Sequence, residues 1–162
     1  MGKEKEMKQL MKNGRILDGR GKTIENGWLL IDGERIVEVG AAPRMPKDPA
    51  SSCTVTDLAG KTVMPGLIDG HVHICFDASP DAGKGAAGRS DADLAFLAAR
   101  NAARTLIAGI TTVRDLGGKN FINLSLRNAI HSGQIPGPRI LSAGHNICMT
   151  GGHGWQFGRE AD

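Results

Sequence analysis

The sequence lacks the means for a disulfide scaffold. Cys53, Cys75 and Cys148 are odd in number, and no Cys-x-x-Cys occurs. That usage argues for reduced thiols in a cytoplasmic protein. No run of about 18 apolar residues is present, so no segment is expected to span a membrane as a helix. The start, Met1 to Lys12, is charged and has no apolar stretch, which argues against a secretory leader. Charge of one sign is also lacking. Twenty Lys and Arg against 17 Asp and Glu leave a formal charge of +3, too little to imply nucleic acid. The Lys-rich stretch Lys3–Lys12 has no interleaved aromatics and reads as a solvated end. Glycine is abundant instead, at 23 of 162 residues, roughly twice the usual share. Because it is scattered rather than repeated, it suggests tight turns and close backbone approaches.

Residues 7–64 read as β structure. Trp28–Ile31 and Arg35–Val39 are strand-like, and Asp32-Gly33 between them signals a hairpin. Met7–Leu10 and Arg15–Leu17 flank Asn13-Gly14, which reads as a second turn of that kind. Pro43, Pro46 and Pro49 break the pattern, and Ala50–Ser52 continues a loop. Val55–Leu58 and Thr62–Met64 are two further short strands around Ala59-Gly60. The expectation for residues 1–64 is a small antiparallel β module.

After Pro65-Gly66 the pattern changes. Leu67–Ile74 is an apolar run of strand length, and 77–90, rich in Gly, Ala, Asp and Ser, reads as a long loop. Ser90 is a candidate N-cap with acids in the turn that follows. Leu94, Leu97, Ala98, Ala102, Thr105 and Leu106 recur at helical spacing, and Gly109 ends the segment. Ile110–Leu116 reads as a strand, Phe121–Ser132 as a helix closed by Gly133, and Arg139–Ala143 as a third strand. Strand–helix–strand–helix–strand argues for parallel βαβ units. A complete (β/α)8 barrel needs about 250 residues. Residues 65–162 supply nearly three units, and the text stops inside a loop.

The sharpest motif is Pro65-Gly66-Leu67-Ile68-Asp69-Gly70-His71-Val72-His73. Side chains alternate along a strand, so His71 and His73 share a face, about 6.5–7 Å apart along the backbone. Two imidazoles so placed can share one divalent metal, or can be histidines satisfied by hydrogen bonds in a polar core. The motif's position, after a β module and opening a parallel sheet, favours the metal. Val72 between them faces the covering helices.

Pro65 to His73 resembles the metal-binding first barrel strand of the amidohydrolase superfamily. The resemblance extends further. Asp57–Gly66 is similar to that family's passage from β-sandwich into barrel, and Ala108–Asp115 to its second strand. Gly137–Ile140, Gly144-His145 and Thr150–Gly154 resemble the imidazolonepropionase-like branch with its Xaa-Pro dipeptidase relatives. The likeness spans nearly all of residues 7–157.

It implies an incomplete TIM-type (β/α)8 barrel, 65–162, preceded by part of a β-sandwich, 1–64. It implies one or two divalent metals, usually zinc, with His71 and His73 on the first. It implies a metal-activated hydroxide attacking the C–N bond of a small amide or dipeptide. The bridging lysine, the later histidines and the catalytic aspartate of that pattern have no counterpart before the chain ends, so no catalytic residue is assigned.

Other candidates are less sharply marked. His145 and His153, with Met149 and Trp155, lie in the loop after the third strand, where barrels of this kind bind substrate. A solvated glycine-rich loop is the alternative. Asp69 reads as a hydrogen-bond organiser beneath the metal. Cys75 is a soft potential ligand or an apolar filler. Asp115 reads as a group orienting a neighbour, or as a cap or ion-pair partner of Arg114 or Lys119.

Three functional readings follow. The first is an N-terminal part of a metal-dependent hydrolase, inactive alone. The second is a short non-catalytic module for binding or assembly, since three strands leave open edges. The third is metal storage through His71, His73 and His153. Uncovered apolar faces predict that the isolated chain is poorly soluble or associates, with itself or with the remainder of a barrel.

Overall fold

The computed structural model describes residues 8–45, 53–80 and 82–155. Residues 1–7, 46–52, 81 and 156–162, on which part of the sequence reading falls, lie outside the described residues. The chain divides into two compact units, Met1–Pro65 and Gly66–Asp162, and is mixed α and β.

The first unit holds one five-stranded sheet. Its strands are β1 (Lys8–Leu17), β2 (Thr23–Asp32), β3 (Arg35–Ala41), β4 (Cys53–Asp57) and β5 (Thr62–Val63). The order is β3-β2-β1-β4, with β5 also beside β1. The β2–β3 hairpin forms as the sequence suggests, pairing Asp32 with Arg35 across Gly33-Glu34. Gly33 takes φ +57, a value a side chain disfavours.

Two expectations fail here. The sheet is not wholly antiparallel, because β4 and β5 both run parallel to β1. Asn13-Gly14 is not a hairpin turn either; β1 passes straight through it with a bulge. Asn13 adopts the left-handed conformation at φ 59, and its amide donates to Asp57 Oδ2 at 2.9 Å. A side chain on Gly14 would fall on Leu58. An Asn-Gly pair supplies the same backbone freedom to a bulge as to a hairpin, and tertiary pairing decides between them. Leu10, Ile16, Trp28 and Leu29 are buried, and Trp28 Nε1–H donates to Ala41 O at 3.0 Å.

The second unit is a parallel sheet, β6 (Leu67–Val72), β7 (Ile110–Asp115) and β8 (Arg139–Ser142), in that order. Helices α2 (Asp91–Ile107) and α3 (Ile122–His131) make the two crossovers. Ser90 caps α2 by accepting from the Asp93 N–H, and Gly109 ends it at φ +87. Leu94, Ala98 and Ala102, one turn apart, are fully buried against Val113 and Ile140 in one apolar cluster. Alanine at two of those positions lets the helix lie close to the strands. Val72 packs against the same cluster, on the helix side as expected.

The reading of 77–90 as loop is corrected. A short helix, α1 (Ala82–Ala87), forms there. Glycine hides it from a propensity argument, but Ala86 is buried in the core, so packing stabilises what composition disfavours. Likewise α3 begins at Ile122 rather than Phe121, because Asn120 and Phe121 are left-handed.

The first unit should show a definite response to acid. Backbone N–H groups of Arg20 and Lys22 hold the Asp18 carboxyl below its ordinary value of 3.8. The Ala59 N–H, followed by Asn13, does the same for Asp57. Each binds its proton less readily folded than unfolded, so its contribution is complete above pH 3.8 and is lost as pH falls below it. Acid unfolding followed by Trp28 fluorescence in a Trp155→Phe background should therefore steepen below about pH 4. Asp57→Ala should be less stable at neutral pH and lose less on acidification; superimposable curves would contradict this origin.

Candidate functional site

The C-terminal ends of the three parallel strands meet at Asp115, which pairs with Val72 on one side and Ser142 on the other. His71 is the penultimate residue of β6 and is exposed; His73 lies one residue past its end. Their rings stand 5.6 Å apart, edge to face at 71°. The structure thus brings together the two residues that the motif predicts on one face. Asp69 Oδ1 accepts the His71 backbone N–H at 3.0 Å.

His73 is held on two sides. Its ring stacks on Phe76 at 5.1 Å and 18°. Its Nδ1 lies 2.8 Å from the Gly117 carbonyl oxygen. A carbonyl can only accept, so Nδ1 carries the proton and donates. In a neutral ring so oriented Nε2 is the lone-pair atom, the form in which an imidazole binds a metal.

The carbonyl that orients His73 is itself fixed. Asp115 is fully buried, and its carboxylate accepts from Ile74 N–H at 2.8 Å on Oδ2, and from Gly117 N–H at 3.0 Å and Asn123 Nδ2 at 2.6 Å on Oδ1. Asn123, also fully buried, donates a second bond to Gly144 O at 2.9 Å. Asn101 of α2 donates to Ile74 O and Phe76 O at 2.9 and 2.7 Å, pinning the turn that follows His73. Neither ion-pair reading of Asp115 holds. Arg114 donates to Gly70 O, and Lys119 donates to Arg89 O and lies 3.8 Å from Asp91.

Asn101, Asn123 and Gly117 were not singled out from the sequence. The signal was present for two of them. Asn123 stands between Ile122 and Leu126, and Asn101 beside Ala98 and Ala102, as amides in apolar helical stripes. A buried amide needs partners, so such positions mark hydrogen-bonded joints.

Cys75 lies beyond β6, which stops at Val72 before the chain turns at Ile74. It is a buried filler of the core, and burial, with the Asp115 charge second, pushes its thiol up to about 12. The His145 ring packs edge-on against Phe121, centroids 3.8 Å apart. His153 and Met149 are exposed, and Trp155 is half-buried. Among the described residues, no third His, Cys, Asp or Glu joins the pair to complete a metal-holding group. Two imidazoles, the His73 ring oriented by Gly117, fit one divalent cation in part: donor chemistry is right, and the donor count falls short of the three protein ligands of a catalytic zinc site. A cavity of about 330 Å³ flanks His73 on the helix side, lined also by Val72, Asn101, Arg100 and Arg104.

A parallel βαβ sheet with paired histidines at the end of its first strand defines a class, and the amidohydrolase family model matches residues 62–157. The chain belongs to that family. Ochratoxinase of Aspergillus niger is 33% identical over 150 residues, 91% of this chain and 30% of that protein. The imidazolonepropionase of Christiangramia forsetii is 41% identical over a shorter stretch of 54 residues, 33% of this chain and 13% of that protein. Among solved structures, a prolidase complexed with N-methylphosphonate-L-proline is 37% identical with a TM-score of 0.76, covering 91% of this chain and 34% of that one. A Xaa-Pro dipeptidase with bound methionine is 32% identical with a TM-score of 0.78, covering 95% and 37%. The chain therefore spans about a third of the length of the first relatives it matches.

Burial predicts the order in which the thiols react. With a disulfide reagent near pH 8, exposed Cys148 should react in the native state and Cys75 only on unfolding. Raising the Cys75 value from 9.0 to about 12 means that its contribution to stability is whole below pH 9 and is lost as pH rises toward 12. Rapid native labelling of Cys75, located by peptide mass mapping, would contradict the structure.

Proposed function

We propose that this chain contributes the first metal-holding strand of an amidohydrolase cleaving a C–N bond, amide or peptide-like, in a small molecule. The carrying observation is the His71–His73 pair at the C-terminal end of β6, with the His73 ring turned by Gly117 so that Nε2 is its lone-pair atom. In this reading the second unit forms the first three βα units of a (β/α)8 barrel, and the first unit forms one layer of a β-sandwich. Catalytic groups of such barrels gather at the C-terminal ends of the strands, where this pair stands.

His71 and His73 would hold one divalent cation, zinc in the first instance. A cation there supplies Lewis acidity and lowers the pKa of water toward neutrality. The chain's own part is to present two imidazoles on one face and to fix the orientation of the His73 ring. Further ligands and a proton-shuttling carboxylate come from outside the described residues. His145, His153 and Met149, on the loop after β8, are the substrate contacts in this reading. A prolidase and a Xaa-Pro dipeptidase among the similar structures favour an Xaa-Pro dipeptide as substrate, with an N-acyl amino acid or cyclic amide as the other members of the class.

A second reading, an assembly module, is favoured by one observation. Among the described residues β6 and β8 each pair on one side alone, and Leu67, Ile68 and Leu141 on them are exposed. Association with a second copy, or with further barrel strands, would cover them.

Two measurements test these readings. The protein as its locus encodes it should hydrolyse an Xaa-Pro or N-acyl amino acid panel in the presence of Zn2+. His73→Ala should lower kcat/KM by at least about a hundredfold. Unchanged turnover in both His71→Ala and His73→Ala would overturn the metal reading. The 162-residue chain alone should be inactive and should elute in light-scattering chromatography as an oligomer; a compact 17.1 kDa monomer would overturn association.

A further inference from the structure

The contacts around His73 converge on one carboxylate from two directions. Oδ2 of Asp115 takes the N–H of Ile74, the peptide immediately after His73. Oδ1 takes the N–H of Gly117, the residue whose carbonyl receives the His73 ring proton. A single rigid group therefore fixes both the backbone that carries the imidazole and the acceptor that the imidazole must reach. Asn123 holds that carboxylate in place at 2.6 Å and ties it to Gly144 at the end of β8.

The acceptor has little freedom to move. Gly117 sits at φ +125, where side chains are rarely tolerated. A Cβ there would also strike the backbone of Asn146. The loop after β8 thus lies directly over the peptide that orients His73. Gly118 N–H adds a bond to Gly144 O at 2.9 Å, fastening the same loop from below.

We propose that Asp115 and Asn123 are positioning residues for His73: they hold the Gly117 carbonyl on Nδ1, so that Nε2 is left as the atom open to a ligand. This rests on the metal reading above for its purpose, though not for its geometry. Neither residue touches the reacting atoms. Their effect passes through the ring tautomer, and an imidazole with no acceptor at Nδ1 is released to place its proton on Nε2, which blocks that atom as a donor.

The test separates the two ideas. The 162-residue chain, labelled with ¹⁵N-histidine and free of metal, is examined by long-range ¹H–¹⁵N correlation at a pH above about 7.5, where imidazole is neutral. Wild-type His73 should show the Nδ1–H tautomer; the Nε2–H form in the wild type overturns the proposal. Asp115→Asn turns an amide N–H against a backbone donor and should shift His73 toward Nε2–H, while His131, at the end of α3, stays unchanged. If that variant does not give a folded spectrum, Asn123→Ala, which keeps the carboxylate and both backbone bonds, should give a smaller shift in the same direction. An unmoved tautomer in a folded variant overturns the positioning role.

Zn2+ competition on the same samples is read separately. Affinity should fall roughly tenfold to a hundredfold in Asp115→Asn, with His73→Ala as the reference loss. Binding that His73→Ala abolishes, together with an unmoved tautomer in Asp115→Asn, overturns the positioning and leaves the metal reading standing. A shifted tautomer with no Zn2+ binding in any form supports the positioning and shows that the pair needs further ligands to hold the ion.

Discussion

The second unit depends on the carboxylate of Asp115. It is fully buried at the point where β6, β7 and β8 end, with three N–H donors around it. A buried acceptor of that kind is stable only when its partners are in place, and removing it would leave several buried donors unsatisfied. Backbone bonds converge at the same place. Leu116 N–H meets Val72 O at 3.0 Å, and Ala143 N–H meets Asp115 O at 2.9 Å. The three strand ends, and the loops that leave them, are therefore one hydrogen-bonded joint rather than three independent termini.

That joint explains why the candidate site lies where it does. Apolar packing between α2, α3 and the sheet sets the distance of the helices from the strands, but it does not orient a side chain beyond the strand ends. Orientation comes from polar contacts above the core: Asn101 on the turn after His73, Asn123 on Asp115, and the Gly117 carbonyl on the ring. Buried networks fully supplied with partners are rigid, which suits a position that must present one nitrogen in one direction. The first unit is organised differently. Its sheet is built by pairing around β1, whose two edges carry β2 on one side and β4 and β5 on the other.

Much of this was legible in the residues. The His-x-His spacing required a shared face, and the rings do stand side by side. The apolar repeat Leu94, Ala98, Ala102 marked the buried stripe of α2, and Ser90 and Gly109 marked its ends. What failed did so for physical reasons. Asn13-Gly14 serves a bulge or a hairpin equally well, since both need a left-handed residue. The direction of β4 and β5 depends on long-range pairing, which leaves no local trace. The helix at 82–87 is concealed by its glycines, and the burial of Ala86 in the core helps to hold it.

Short-range chemistry, by itself, determined the family, the pair of histidines and the alternation of strand and helix. Each of these is written in periodicity or in a contiguous motif. Only the tertiary structure decided which atom of His73 is open. That answer depends on Gly117, 44 positions away in sequence, and on a carboxylate and an amide that reach it from β7 and α3. A hydrogen bond has a direction as well as a partner, and direction exists only once the strands are side by side.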